Sequence, residues 1–102
     1  KGIKTMYVVA DFSKILTIED MRVVADELSH IDIAMLFTNA GFADVGTFVE
    51  MKDSTVQDMV AVNALQPLYL TKCLLKQLLA REKRSALVLT SSAASLLPMP
   101  GG

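Results

Sequence analysis

Apolar positions in this chain alternate between two periodicities. Residues 5–10 form a short apolar run that stops at Asp11. Residues 31–37 form a second, interrupted only by Asp32, and a third passes through Leu87, Val88 and Leu89 before Thr90-Ser91-Ser92. Runs of this length without alternation predict strands covered on both faces, as in a parallel sheet. Between them the spacing becomes helical. Ile18, Met21, Val24, Ala25 and Leu28 share one helix face, opened by Thr17 with Asp20 three places on, a capping box, and ending near Ser29-His30. A longer helix is predicted over residues 54–81, opened by Ser54 with Gln57 and carrying Val56, Met59, Val60, Leu68, Leu75, Leu78 and Leu79. The charged stretch Arg81-Glu82-Lys83-Arg84 turns the chain back toward the last run, and Pro98, Pro100, Gly101 and Gly102 make a closing loop.

The predicted order is β-α-β-α-β with no hairpin signal, so the strands should be parallel and joined by right-handed helical crossovers. That is an α/β, Rossmann-type doubly wound arrangement in partial form. Three strands leave sheet edges and faces uncovered. Composition agrees: 52% of the 102 residues are hydrophobic and mean hydropathy is +0.42, a surplus for one small domain. Residues 1–102 are therefore expected to be the central part of a single larger domain.

Charge narrows the partners. A net charge of −1 gives no electrostatic case for nucleic acid, and the basic residues form no membrane-binding cluster. No apolar run reaches the length of a membrane span. Cys73, the single cysteine, excludes an internal disulfide and reads as a small apolar residue of the core. His30 reads as a helix-end residue, and no grouping of His, Cys and acidic residues has metal-ligand spacing.

In open α/β sheets, ligands bind outside the carboxyl ends of the strands. The residues there are Asp11, then Thr38-Asn39-Ala40-Gly41, then Ser91-Ser92. Asn63 also asks for a reason, because Asn is a poor interior residue of a helix. Pro67, four places on, has no N–H to give the Asn63 carbonyl. Ser92 has no accompanying His and acid in the pattern a hydrolase needs, so it does not read as a nucleophile.

Taken together these motifs resemble the short-chain dehydrogenase/reductase family over essentially the whole chain. Val9-Ala10-Asp11-Phe12-Ser13-Lys14, with Pro98-Met99-Pro100, is most similar to its 17β-hydroxysteroid dehydrogenase and very-long-chain 3-oxoacyl-CoA reductase branch. The resemblance implies that Asp11 accepts from the adenine amino group while the Phe12 N–H reaches the ring. It implies that Thr38, Asn39, Ala40 and Gly41, similar to an Asn-Asn-Ala-Gly signature, bring backbone close to the cofactor ribose, with Gly41 turning the chain out of the strand. Thr38 departs from that signature, keeping a hydroxyl but losing the two-ended reach of an amide. Asn63 matches a catalytic Asn whose carbonyl holds a water of a proton relay, and Ser92 matches the serine that orients the substrate oxygen.

On the same resemblance the cofactor is NADP, with NAD the alternative, and the substrate is a ketone or secondary alcohol on a hydrophobic molecule such as a steroid or 3-oxoacyl thioester. The family's Gly-rich turn is expected upstream of Lys1 and its Tyr-x-x-x-Lys after Gly102. A homodimer through the 54–81 helix and a cytoplasmic or endoplasmic-reticulum-associated location are implied as well, membrane association of the intact protein included. A second reading is a non-catalytic relative that keeps the fold to bind cofactor or partners, and Thr38 is the departure that leans toward it.

Overall fold

Thr17 opens the first helix as its sequence predicts. In the computed structural model, which describes residues 2–101, Thr17 is extended and its Oγ1 accepts from the Asp20 N–H at 3.2 Å. Helix α1 spans Ile18–Asp26, with Glu19 and Asp20 placing negative charge at the positive end of its dipole. It buries Met21 and Ala25 and unwinds through a turn that contains His30.

The second helical stretch departs from expectation at its start and its middle. Helix α2 spans Asp53–Val60 with Lys52 as the flanking residue and no side-chain cap, so Ser54 lies inside the first turn and does not cap it. Thr47 takes up the local hydrogen bonding instead. Its hydroxyl donates to Glu50 Oε2 at 2.6 Å and its carbonyl accepts from the Met51 N–H, so the chain enters the helix already ordered. Residues Ala61–Leu65 then widen into a π turn before helix α3, Gln66–Leu79. The Gln66 N–H reaches back five residues to the Ala61 carbonyl, and Pro67 falls in the first turn of α3, where a missing N–H is tolerated. One continuous helix over 54–81 would have set that proline in its interior.

Strands β1, Met35–Thr38, and β2, Ala86–Leu89, pair in parallel, with Met35 opposite Ala86 and Thr38 opposite Leu89. The 5–10 run forms no strand, which corrects the three-strand expectation. Among the described residues no strand stands beside this run for it to pair with. Ile3, Tyr7 and Val9 stay exposed, whereas Ala10 and Phe12 pack against the core and Ile15 is buried in it. Strand β1 is also shorter than the 31–37 run, because the start of that run is held from the side. Gln77 Nε2 donates to the carbonyls of Leu28 and Ile31, and Arg81 grips the Asp32 carboxylate at 2.6 Å and 3.3 Å while donating to the Arg84 carbonyl.

The core lies between α1, α3 and one face of the sheet. Ile15, Met21, Ala25, Leu70, Leu74 and Leu78 form it, with Ile33, Leu36 and Cys73 packed alongside. Cys73 thus takes the place expected of it, and burial pushes its thiol pKa up. Leu70, Leu74 and Leu78 line the inward face of α3, one turn apart. Leu68, Leu75 and Leu79 are exposed, and Leu75 and Leu79 also border a hollow shared with Ala86 and Leu87 of β2. Met35 and Phe37 stand on the uncovered face of β1, more than half exposed.

That geometry locates the apolar surplus. The accessible surface is 8100 Å², against about 5,700 Å² expected for a folded monomer of this mass. The radius of gyration is 16.1 Å, against about 13 Å for a compact domain of this length. The excess sits on the open sheet face, residues 3–9 and Leu96-Leu97. Residue Gly102 of the closing loop lies outside the described residues.

Two outcomes follow for the complete protein carrying this chain. Leu74→Ala should lower unfolding stability by about 3 kcal/mol in urea titrations, with Leu79→Ala within about 0.5 kcal/mol of the parent. Equal effects would contradict the assigned faces of α3. The Arg81 guanidinium holds the Asp32 carboxyl below its usual range, so the pair's contribution is present above the ordinary carboxylate pKa and is lost as pH falls through the depressed one. Asp32→Asn should therefore lower the thermal midpoint at neutral pH, and the gap should close in strong acid. A gap independent of pH would refute the pairing.

Candidate functional site

The parallel register brings the carboxyl ends of β1 and β2 level, and side chains then join them. Thr38 is buried at the end of β1, and its Oγ1 donates to the Val88 carbonyl of β2 at 3.4 Å. Here the threonine bridges the strands by a single long hydrogen bond, the one-ended reach that its hydroxyl allows. The ladder continues through the Thr90 N–H to the Thr38 carbonyl at 3.0 Å. One residue further, the Thr90 hydroxyl donates to Asn39 Oδ1 at 2.9 Å.

Asn63 holds the segment that leaves β1. Its Oδ1 accepts from the Phe42 N–H at 2.9 Å and its Nδ2 donates to the Phe42 carbonyl at 2.6 Å. The side-chain amide satisfies both backbone groups of one residue, as a neighbouring strand would. It can do so because the π turn carries Asn63 beside the loop, and the turn exists where Pro67 breaks the regular ladder. Gly41 sits against this clamp: a Cβ there would meet Asn63 Oδ1 at 3.6 Å, an ordinary contact. Gly41 does not adopt positive φ, so the chain leaves β1 without using the conformational freedom expected of it.

Ser92 follows β2 in extended conformation and caps the short turn Ala93–Ser95. Its Oγ accepts from the Ala94 N–H at 3.1 Å, and its carbonyl accepts from the Ser95 hydroxyl at 2.7 Å. A hydroxyl that accepts in this way still has its own proton to donate.

Thr38, Asn39, Ala40, Gly41, Asn63 and Ser92 all line one cleft of about 690 Å³, a size typical of small-molecule sites. Phe42, Pro67, Thr90 and Ser91 line it too. Among the described residues no ionisable side chain does. Its polar groups are hydroxyls and amides, suited to sugar hydroxyls and carbonyl oxygens; a phosphate would find no cation among them.

Asp11 and Phe12 lie apart from this cleft. Asp11 Oδ1 accepts from the Ser13 N–H at 3.0 Å and the Ser13 hydroxyl at 2.7 Å, capping the turn Phe12–Lys14 and leaving Oδ2 open. The Ser13 hydroxyl bond, then the amide bond, holds the Asp11 carboxyl below the usual carboxylate range. Phe12 packs against the core. Thr90 is the cleft residue that sequence reasoning missed. Only the register shows it, since Thr38 opposite Leu89 sets Asn39 opposite Thr90.

Comparison with known proteins agrees with the fold. The family model for short chain dehydrogenase matches residues 1–102. No curated protein matches the chain at a significant level. Four solved structures resemble it, the following three among them. A 7β-hydroxysteroid dehydrogenase matches with TM-score 0.83 at 22% identity over 98% of this chain. A candidate NAD(P)-dependent gluconate 5-dehydrogenase from Beutenbergia cavernae, solved with NADP bound at low occupancy, matches with TM-score 0.78 at 23% identity over 92%. A short-chain dehydrogenase from Streptomyces avermitilis matches with TM-score 0.75 at 27% identity over 92%. The chain spans 38%, 36% and 34% of these three proteins respectively.

The Asn63 clamp has a direct readout. Asn63→Ala should speed exchange of the Phe42 amide hydrogen in the complete protein by roughly tenfold, the scale of one or two modest hydrogen bonds. Unchanged protection at Phe42 would show that the loop is held by something else.

Proposed function

This chain belongs to the short-chain dehydrogenase family, and we propose that the protein carrying it is an NADP(H)-dependent oxidoreductase interconverting a ketone and a secondary alcohol on a hydrophobic substrate. The observation that carries this reading is the convergence of Asn39, Asn63 and Ser92 on one uncharged cleft at the level ends of two parallel strands. Steroids and 3-oxoacyl thioesters are the substrate classes favoured, through the similarity of residues 9–14 and 98–100 to the 17β-hydroxysteroid dehydrogenase branch. NADP is favoured over NAD on the same similarity.

The donor set of the cleft fits the riboside end of such a cofactor. Thr38, Asn39, Ala40 and Gly41 would hold it through backbone and amide groups, and Asp11 with the Phe12 N–H would receive the adenine some distance away. When bound, the nicotinamide supplies or accepts the hydride. Ser92 donates its free hydroxyl proton in a hydrogen bond to the substrate oxygen, polarising the carbonyl and turning the reacting carbon toward the hydride. In reduction, the carbonyl carbon gains the hydride and the oxygen gains a proton. Tyr7 and Tyr69 do not line the cleft, so neither supplies that proton. It comes from the tyrosine expected after Gly102, with the Asn63 carbonyl anchoring water behind it. The outward leucines of α3, Leu68, Leu75 and Leu79, support a homodimer through this helix.

The second reading, a relative that binds cofactor or partners without turnover, draws on the single 3.4 Å bond by which Thr38 joins the strands. NADPH oxidation by the complete protein, with a steroid ketone or acetoacetyl thioester, separates the two. Turnover is expected, with Ser92→Ala lowering kcat by roughly 100-fold while NADPH binding is kept. Tight NADPH binding without turnover of either substrate class would favour the second reading.

A further inference from the structure

Asn39 lies at the end of β1 and Thr90 at the end of β2, one place beyond the last ladder pair, and their side chains make an additional rung there. The rung has a direction. Thr90 Oγ1 donates to Asn39 Oδ1 at 2.9 Å, so the Asn39 oxygen is occupied and its Nδ2 hydrogens have no partner among the described residues. Both residues line the cleft. Reversing the amide would set Nδ2 against the hydroxyl and expose an acceptor instead of two donors. The choice matters because the described residues bring no charge to the cleft, and their recognition of a ligand rests on which neutral groups donate and which accept.

We propose that Thr90 is a positioning residue: its hydroxyl fixes the Asn39 amide with the N–H donors toward the cleft, where they bind an acceptor oxygen of the dinucleotide's ribose. This rests on the oxidoreductase reading above and adds a residue to it. Thr90 acts through Asn39 and touches neither the hydride nor the transferred proton. A serine in its place keeps the hydroxyl, whereas valine keeps the shape and removes the donor. With valine the amide loses its fixed sense, and the site must order it on binding.

The test is titration of the complete protein with NADPH, followed by cofactor fluorescence, alongside steady-state kinetics. Thr90→Val should weaken NADPH binding five- to tenfold and raise its KM, with kcat at saturating cofactor lowered less. Thr90→Ser should restore binding to within about twofold, the outcome expected when one hydroxyl carries the effect. Valine binding as tightly as the parent, or serine as weakly as valine, overturns the proposal. Should Thr90→Val fail to fold, Asn39→Asp probes the rung from its other side, because aspartate still accepts from Thr90 but has no N–H for the cleft. Weaker NADPH binding by Asn39→Asp is then expected, and undiminished binding overturns the proposal. A parent protein that binds no dinucleotide overturns both this assignment and the oxidoreductase reading, whereas a binding parent with an unaffected valine variant overturns this assignment alone.

Discussion

The parallel pairing of β1 with β2 is the constraint on which the site depends. Parallel strands with Thr38 opposite Leu89 end at the same level, so residues 39 and 90 emerge side by side, as do the segments that follow them. A shift of one residue in either strand would separate Asn39 from Thr90, and a shift in β1 would also turn Thr38 out of the interior, because side chains alternate between the two faces. The opposite end of the strands is tied as well. Gln77 on α3 and Arg81, just past its end, hold Leu28, Ile31 and Asp32 ahead of β1, and Arg81 also reaches Arg84 ahead of β2. The end of α3 and the residue pair that follows it thus tie together the segments leading into both strands.

The middle of the crossover converts a local defect into a positioned side chain. Pro67 cannot take part in a regular helical ladder, and the chain responds with the π turn Ala61–Leu65. The turn carries Asn63, whose amide closes on the Phe42 backbone and draws residues 40–43 against the helix. An asparagine is a liability in a continuous helix, but at a widened turn it is well used. Proline, π turn and asparagine make one device with one product, a fixed loop beside the cleft.

Much of this was legible in residue patterns. The Thr17 cap, the apolar run of β2 and the placing of Asn39 with Ser92 came from spacing and resemblance, because each depends on local chemistry or on a motif, whereas Asp11, expected on the same rim, lies apart from their cleft. The failures share a different cause. The 5–10 run has the composition of a strand but no neighbour to pair with among the described residues, and β-propensity reports a fit to a sheet and cannot supply one. Ser54 and Gln57 have capping-box spacing, yet the turn before them had already committed the backbone through Thr47 and Glu50. Thr90 could not be singled out, since its importance arises from a residue 51 positions away. Asp11 was recognised from the strand it was thought to end, and its local role proves to be the capping of a short turn through Ser13.

The two ends of the sheet are built from unlike chemistry, and the difference bears on what each can do. At the amino ends, an arginine, a carboxylate and a glutamine hold backbone through charge-assisted or multiple hydrogen bonds, which suits a fixed support. At the carboxyl ends the contacts are neutral: Thr38 to Val88, Thr90 to Asn39, and Asn63 to Phe42. Neutral hydrogen bonds close to water contribute only about 1 kcal/mol each, too little to dominate stability but enough to select one orientation of an amide or hydroxyl. The cleft is thus ordered by weak, directional contacts on a firmly aligned base, and its unspent donors, on Asn39 and Ser92, are those such an arrangement leaves for a ligand.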